Sequence, residues 1–458
     1  MIDLLKSVLD TTTYYAEIRY HKRVHTLIEA RNTVLAKAEQ KTLAGAGVRC
    51  LVDGCWGFVS TSDVSEQGLR NALGEASAAA KAAAAIKKER VTLAPAKMGV
   101  GEFIQYDRKP DPDIAAKIKA VLAAESRIRL ESELVVGSVV RYFQYDDEKF
   151  IVNTDGAAAH VIDNKQSGIV FATAGKGDKL ETSAESWGVT GSWDDLMKKA
   201  SLEDMAVSAA RSAVEKLDAG YATGGQYTVI LDPDLVGILS HEAIGHTVEA
   251  DFVLSGSVVK GKIGTKVASD LITMVDDGTV AGGAGMTLVD DEGVQGSSCV
   301  IIEKGVLRNY LHNRESAAVL RGVPQGNARA FTYRDEPLIR MTNTFVLPGH
   351  DDLQKMIAGV RDGFLLSGLG MSGQADATAE FMFGVAEARR IKDGVVGELV
   401  KGVTISGQAF DVLKSVDAVS SHFVLNSGGG HCGKWQPAKV DSGGPYLRCR
   451  VTVGGRHE

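Results

Sequence analysis

The residues best suited to chemistry gather in one stretch, "LDPDLVGILSHEAIGHTVEADF", positions 231–252. His241, Glu242 and His246 follow most of the H-E-x-x-H pattern, in which two imidazoles hold zinc and the carboxylate between them acts as general base. The second histidine, however, falls five positions after the first, where the pattern needs four. At roughly 100° per residue, side chains five apart on a regular helix point about 140° away from each other. Imidazoles so placed cannot share an ion whose nitrogen ligands sit about 2.0–2.1 Å from it. A π-bulge, which adds one residue to a turn, would bring them onto one face, and Gly245 is where the backbone yields most easily. Without such a bulge the two are hydrogen-bonded core histidines, because Leu235, Val236, Ile238, Leu239, Ile244 and Val248 make the segment apolar over much of its surface.

A catalytic zinc takes three protein ligands and leaves one position open. The residues leave the third ligand undecided among Glu249, Asp251, His312, His350, His422 and the pair His431 and Cys432 of "LNSGGGHCGKWQP". Three glycines before that pair let backbone approach closely, and thiolate is a strong zinc ligand. The same loop also reads as a glycine turn that carries a small core cysteine.

These residues need elements to position them. Asp232 and Pro233 make an N-cap and first turn after the strand-like "QYTVILD". Further upstream, "YYAEIRYHKRVHTLIEARN" and "AGVRCLVDGCWGFVSTSD" are strand-rich, with a hairpin turn at Asp53 and Gly54. Helices are predicted in "LRNALGEASAAAKAAAAIKKER" and "PDIAAKIKAVLAAESRIR", and one long helix over "WDDLMKKASLEDMAVSAARSAVEKLDAG", with Met205, Ala209, Ala213 and Leu217 on its packing face. After Gly224 the chain becomes short strands separated by glycine turns. The expectation is an α+β protein. Residues 1–223 form an N-terminal α/β domain with a mixed or antiparallel sheet, and 224–458 a mostly antiparallel, barrel-like or sandwich-like domain carrying the metal-site helix.

Composition removes several function classes. A formal charge of -7 over 458 residues gives no basic footprint, so nucleic acid is not expected as a partner. "MIDLLKSVLDTTTYYAEIRYHKR" holds no apolar run of signal-peptide or membrane-span length, which points to a cytoplasmic protein with no membrane partner. Cys50, Cys55, Cys299, Cys432 and Cys449 are scattered and form no C-x-x-C pair, so neither a disulfide framework nor a thiol-redox enzyme is favoured.

Taken together, "HEAIGHTVEAD", "VDDEG" (289–293), "RMTNT" (340–344), "MSGQADATAEFMFGVAEAR" (371–389) and "GGGHCGK" (428–434) resemble the TldD/PmbA family of cytosolic metalloproteases and protease-like partners, and "GVRCLVDGCWGF" is similar to its first domain. The resemblance implies that His241, His246 and Cys432 hold Zn2+ and that Glu242 is the catalytic base. It implies an active subunit, since relatives without catalysis lack H-E-x-x-x-H. Its substrates would be peptides or small unfolded proteins in extended form, bound by a homodimer or by a heterodimer with an inactive relative. Glu249 and Asp251 would orient the imidazoles. Backbone amides of 428–430, or Arg340 and Asn343, are the candidates for stabilising the oxyanion. The chain departs from the family pattern at Trp435 and Pro437. The competing reading is a non-catalytic peptide-binding scaffold that partners an active enzyme.

Overall fold

In the computed structural model, residues 1–375, 378–425 and 429–455 are described. Two sheets organise them. In the first, Tyr15–Arg31 and Val34–Val52 pair antiparallel along nearly their whole length across a two-residue turn at Asn32 and Thr33. Both turn residues have positive φ, 47° and 69°, as do Asp53 and Gly54 at 48° and 71° in the next hairpin. Turns of that hand match the twist of the strands they join. Val135–Asn153, Ala158–Lys176 and Lys179–Thr190 continue the sheet antiparallel, and Val100–Ile104 adds a parallel edge.

Helices Glu66–Ala84 and Ile114–Leu130 form over most of the predicted segments, the first ending six residues before Arg90, and are capped by Ser65 and Asp113 side chains that accept first-turn amides. Helix Glu66–Ala84 lies close on strand Cys55–Thr61; a Cβ on Gly57 would sit 1.9 Å from the Ala76 carbonyl oxygen. The long helix expected after Ser192 is in fact two, Trp193–Lys199 and Leu202–Asp218, separated by Ala200 in extended conformation. Ser192 makes a capping box with Asp195, and Ser201 accepts from the Asp204 amide, so a second N-terminus starts within what reads as one helix.

The second sheet closes on itself. Gly225–Leu231, Asp362–Ala375, Glu380–Lys392, Thr404–Gln408 and Asp441–Gly454 each pair with the next and the last with the first, making a five-stranded barrel. One join in this ring, Asp362–Ala375 on Gly225–Leu231, is parallel, so the sheet is mixed. Closure removes the unpaired edges that an open sheet exposes. Phe364, Phe381, Phe383, Leu447 and Val451 share one apolar core with Leu235, Leu239, Ile244 and Val248 of the histidine-bearing helix. Phe381 and Phe383 stack with centroids 4.9 Å apart, placing both in that core. Among the described residues no helix is long and apolar enough to cross a membrane.

Buried charge ties the two sheets together through "VDDEG". Glu292 accepts from Arg49 at 2.8 Å while the same guanidinium donates to Glu17 at 2.9 Å. Asp291 accepts from Lys149 at 2.8 Å, and Asp290 from the amides of Glu292, Val294 and Ala328. Removing one member of such a group strands the others as uncompensated charge. Arg49→Met is therefore expected to lower stability by about 3–5 kcal/mol, read from urea unfolding curves against the parent chain.

Candidate active site

Strand Gly225–Leu231 runs straight into the site. Asp232 accepts from the Leu235 amide at 2.9 Å, starting the helix, and from the Gly368 amide at 2.9 Å, fixing that start to the neighbouring barrel strand. Burial, with Asp234 nearby, pushes Asp232 up to about 7. The chain is α-helical over Pro233–Ile238, then π-helical over Leu239–Gly245, then α-helical again at His246–Val248. The amide of His246 donates to the carbonyl of His241, a five-residue hydrogen bond that spans the two histidines themselves. Gly245 has ordinary helical dihedrals, φ -55° and ψ -49°. Its contribution is room: a Cβ there would lie 2.0 Å from Met341 Sδ.

The wider turn brings the imidazoles onto one side, with ring centroids 5.2 Å apart. Cys432 meets them from the hairpin formed by His431–Lys434 and Gln436–Lys439. Its Sγ is 3.2 Å from His246 Nε2, and ligand atoms of His241, His246 and Cys432 all lie within 4.8 Å of one another. His241 is 3% exposed, and neither of its ring nitrogens has a hydrogen-bond partner among the described residues. A buried imidazole without a partner is costly unless something else satisfies it. The group is nitrogen, nitrogen and thiolate sulfur, the donor chemistry of a zinc site.

The neighbours of the triad are themselves held. His246 Nδ1 donates to Glu249 at 2.8 Å, leaving Nε2 turned toward Cys432. Glu249 is fully buried and also accepts from Lys434 Nζ at 3.1 Å; Lys434 reaches Asp251 at 2.8 Å and the Ile339 carbonyl at 3.0 Å. Arg340, likewise fully buried, donates to the carbonyls of Cys432 at 2.7 Å and Gln436 at 2.6 Å. Lys434 thus braces the hairpin against the end of the helix, and Arg340 holds the hairpin backbone on both of its strands. Of the oxyanion candidates, Asn343 bridges the Asp277 carbonyl and the Gly285 amide, and Arg340 keeps only its buried Nε without a hydrogen-bond partner among the described residues. Gly428 of the glycine loop lies outside the described residues. Trp435 occupies the hairpin turn with φ 59° and is 88% exposed, so the departure from the family pattern is accommodated in a formed hairpin.

Glu242 is partly exposed, with Oε2 3.7 Å from His246 Nε2 and Oε1 4.0 Å from His241 Nε2. It faces a cleft of about 420 Å³ between the barrel and the first sheet, lined also by His241, Cys432, Glu185, Gly368 and Leu369. His312 bonds Ser316 at 3.0 Å, and it, His350 and His422 stand outside the group. The roles of Lys434 and Arg340 were not read from the sequence; the only signal was a lysine two positions beyond Cys432 with an acidic pair, Glu249 and Asp251, to answer it.

Burial raises the Cys432 thiol, but His241 and His246 outweigh it and bring the thiol down to about 5. The same burial opposes charge on His246, yet Glu249 and Cys432 lift it to about 10. Left to itself the triad settles as a thiolate beside imidazolium.

Three family models match the chain over most of its length. Models of the PmbA/TldA metallopeptidase match as domain 1 at residues 16–80, as central domain at 104–217 and as C-terminal domain at 224–455. The chain belongs to the PmbA/TldD family. A relative named metalloprotease from Methanothermobacter thermautotrophicus is 32% identical over 99% of both chains. One named zinc metalloprotease TldD homolog from Saccharolobus solfataricus is 26% identical, covering 99% of this chain and all of its own. The crystal structure of TldE from Thermococcus kodakarensis superposes with a TM-score of 0.78 at 17% identity over 99% of each chain, a likeness of fold.

The site's electrostatics make a direct prediction for this family member. Cys50 is pushed up to about 11 and Cys449 to about 12 by burial, and Cys299 higher still. In metal-stripped protein one thiol should ionise near pH 5, followed by thiolate absorbance at 240 nm, and Cys432→Ser should abolish that transition. A first thiol titrating only above pH 8 would contradict the site as described.

Proposed function

We propose that this chain is a zinc-dependent peptidase acting on peptides or small unfolded proteins in extended form. One observation carries the reading: two imidazole nitrogens and a thiolate sulfur converge from separate elements, beside a carboxylate that faces a cleft. His241, His246 and Cys432 would hold the zinc. Such an ion polarises a scissile carbonyl and makes water acidic near neutral pH. Glu249 keeps the His246 proton on Nδ1, so that Nε2 is free to ligate. Glu242 takes the proton of the attacking water and returns it to the departing amine. Support for extended substrates comes from the cleft walls, where residues 367–369 of one strand and 183–186 of another run along its sides.

A scaffold without catalysis has no use for His241, Glu242, His246 and Cys432 together. On the family resemblance we take the working unit to be a cytoplasmic dimer, of this chain with itself or with a relative lacking the motif. Its two-part organisation would divide at 223/224.

Purified protein should contain about one zinc per chain. His241→Ala and Cys432→Ser should lose zinc and peptide hydrolysis together, while Glu242→Ala keeps the metal and loses at least about 10²-fold in kcat. Native protein free of metal would overturn the reading, and zinc lost from Glu242→Ala would make Glu242 a ligand instead. Zinc content should also fall as pH drops through about 5, because protonation of the Cys432 thiol removes a ligand.

A further inference from the structure

His431 and Lys439, which pair across the Cys432 hairpin, line a second cavity of about 50 Å³ between that hairpin and the first sheet. At roughly 10–15 Å³ per water this is room for about three to five waters, about the size of one tetrahedral oxyanion. Five cationic side chains line it: Arg23, Lys149, Lys165, Arg329 and Lys439. Only Asp147, Asp163 and Asp291 oppose them there.

Each of these carboxylates already has its cations. Asp147 accepts from Arg23 Nε and Nη2 at 2.7 and 2.6 Å and sits 3.0 Å from His21. Asp291 holds Lys149 at 2.8 Å and Arg19 at 3.5 Å, and Asp163 holds Lys165 at 3.2 Å. Arg329 and Lys439 are left over. Arg329 donates to the carbonyls of Met341 at 2.8 Å and Lys439 at 2.5 Å; Lys439 Nζ reaches the Gly430 carbonyl at 3.2 Å. Asp441, the acid nearest Lys439 in sequence, is engaged by the Ala284 and Ser442 amides and lies 3.7 Å from Lys199.

Two further atoms say what kind of ligand the cavity suits. Arg23 Nη1 is buried with no hydrogen-bond partner among the described residues, on a guanidinium held between the rings of Tyr145 and Phe331 at 4.5 and 4.4 Å. Asp163 Oδ1 is also buried and unpartnered, on a side chain 9% exposed. Burial raises the Asp163 carboxyl and Lys165 opposes this; with Asp163 ionised, a ligand that satisfies both accepts from a cation and also donates to a carboxylate. Sulfate at neutral pH offers only acceptors. Phosphate keeps a proton there.

We propose that this cavity binds inorganic phosphate in a protonated form, with Arg23, Arg329 and Lys439 donating to its oxygens and Asp163 accepting from its hydroxyl. Burial pushes Lys439 down to about 7 and Lys165 down to about 8 despite their acidic neighbours, and a bound anion would keep both amines charged. Since Lys439 also ties the Gly430 carbonyl, a phosphate here fastens the root of the hairpin that presents Cys432. The site rests on these residues alone and holds whether or not the chain hydrolyses peptides.

The test uses the full chain as purified, titrated at pH 7 with phosphate, sulfate or chloride at matched ionic strength, by calorimetry and by thermal unfolding. Phosphate and sulfate both stabilise proteins generally by exclusion from their surfaces, so the readout is the excess of phosphate over sulfate. A saturable phosphate isotherm is expected, with a rise in Tm of about 2 °C or more beyond sulfate at saturation. Lys439→Met should weaken phosphate at least tenfold, and Asp163→Asn should abolish the preference over sulfate. Equal effects of phosphate and sulfate on the parent chain, or no isotherm for phosphate, would overturn the proposal even if neither variant folds. Undiminished phosphate binding in Lys439→Met would overturn it as well.

Discussion

The five-residue hydrogen bond from His246 to the His241 carbonyl is the constraint on which the rest of the site depends. A π-helical turn packs less well than an α-helical one and does not persist on local propensity. Here it is imposed from outside. Asp232 ties the start of the helix to the barrel through Gly368, Met341 fills the space that Gly245 leaves, and Ile244 and Val248 are sunk in the barrel core. The energy that holds the odd turn is hydrophobic burial in the barrel, and the helix alone would revert to regular winding and point its histidines apart.

Bracing between helix and hairpin adds the second requirement. His246 and Cys432 lie 186 positions apart, so their approach depends on tertiary contacts alone. Lys434 to Glu249 joins the two elements through buried charge, while buried Arg340 fixes the hairpin through the Cys432 carbonyl. In a low-dielectric interior such pairs are costly if half made and directional when complete. They hold position well and tolerate little movement.

The site was legible in the sequence to an unequal degree. Asp232 and Pro233 mark a helix start by chemistry that works within three residues, and the histidine spacing posed a geometric demand that only an underwound turn could meet. The hairpin at Asp53 and the capped helices from Glu66 and Ile114 are local too, and regular strand spacing pointed to a barrel or a sandwich, whereas the turn at Asn32 and Thr33 was not marked. Cys432 could not be separated from His312, His350 or His422 by any local rule; family resemblance singled it out. Arg340 and Asn343 stood as oxyanion candidates because burial is invisible in one sequence; both are buried, with Arg340 Nη1 and the Asn343 amide donating to backbone carbonyls. The break at Ala200 escaped because two serine caps nine residues apart, Ser192 and Ser201, lie within a continuous helical pattern, and capping competes with propagation.

Barrel closure has a consequence for the order in which the molecule is made. Strand Asp441–Gly454 pairs with Gly225–Leu231, Asn343–Val346, Thr404–Gln408 and Ala418–Leu425, and every one of those partners precedes it in the chain. On the ribosome the first sheet can form early from its own neighbouring hairpins, whereas the barrel must wait for its last stave, with the long loop-closure that distant pairing entails. Until that strand arrives, the helix from Pro233 lacks the core that keeps it underwound and the hairpin before the strand has no wall to lean on. A growing chain therefore carries both histidines without the geometry to use them, and the site comes into being only with the closing of the barrel.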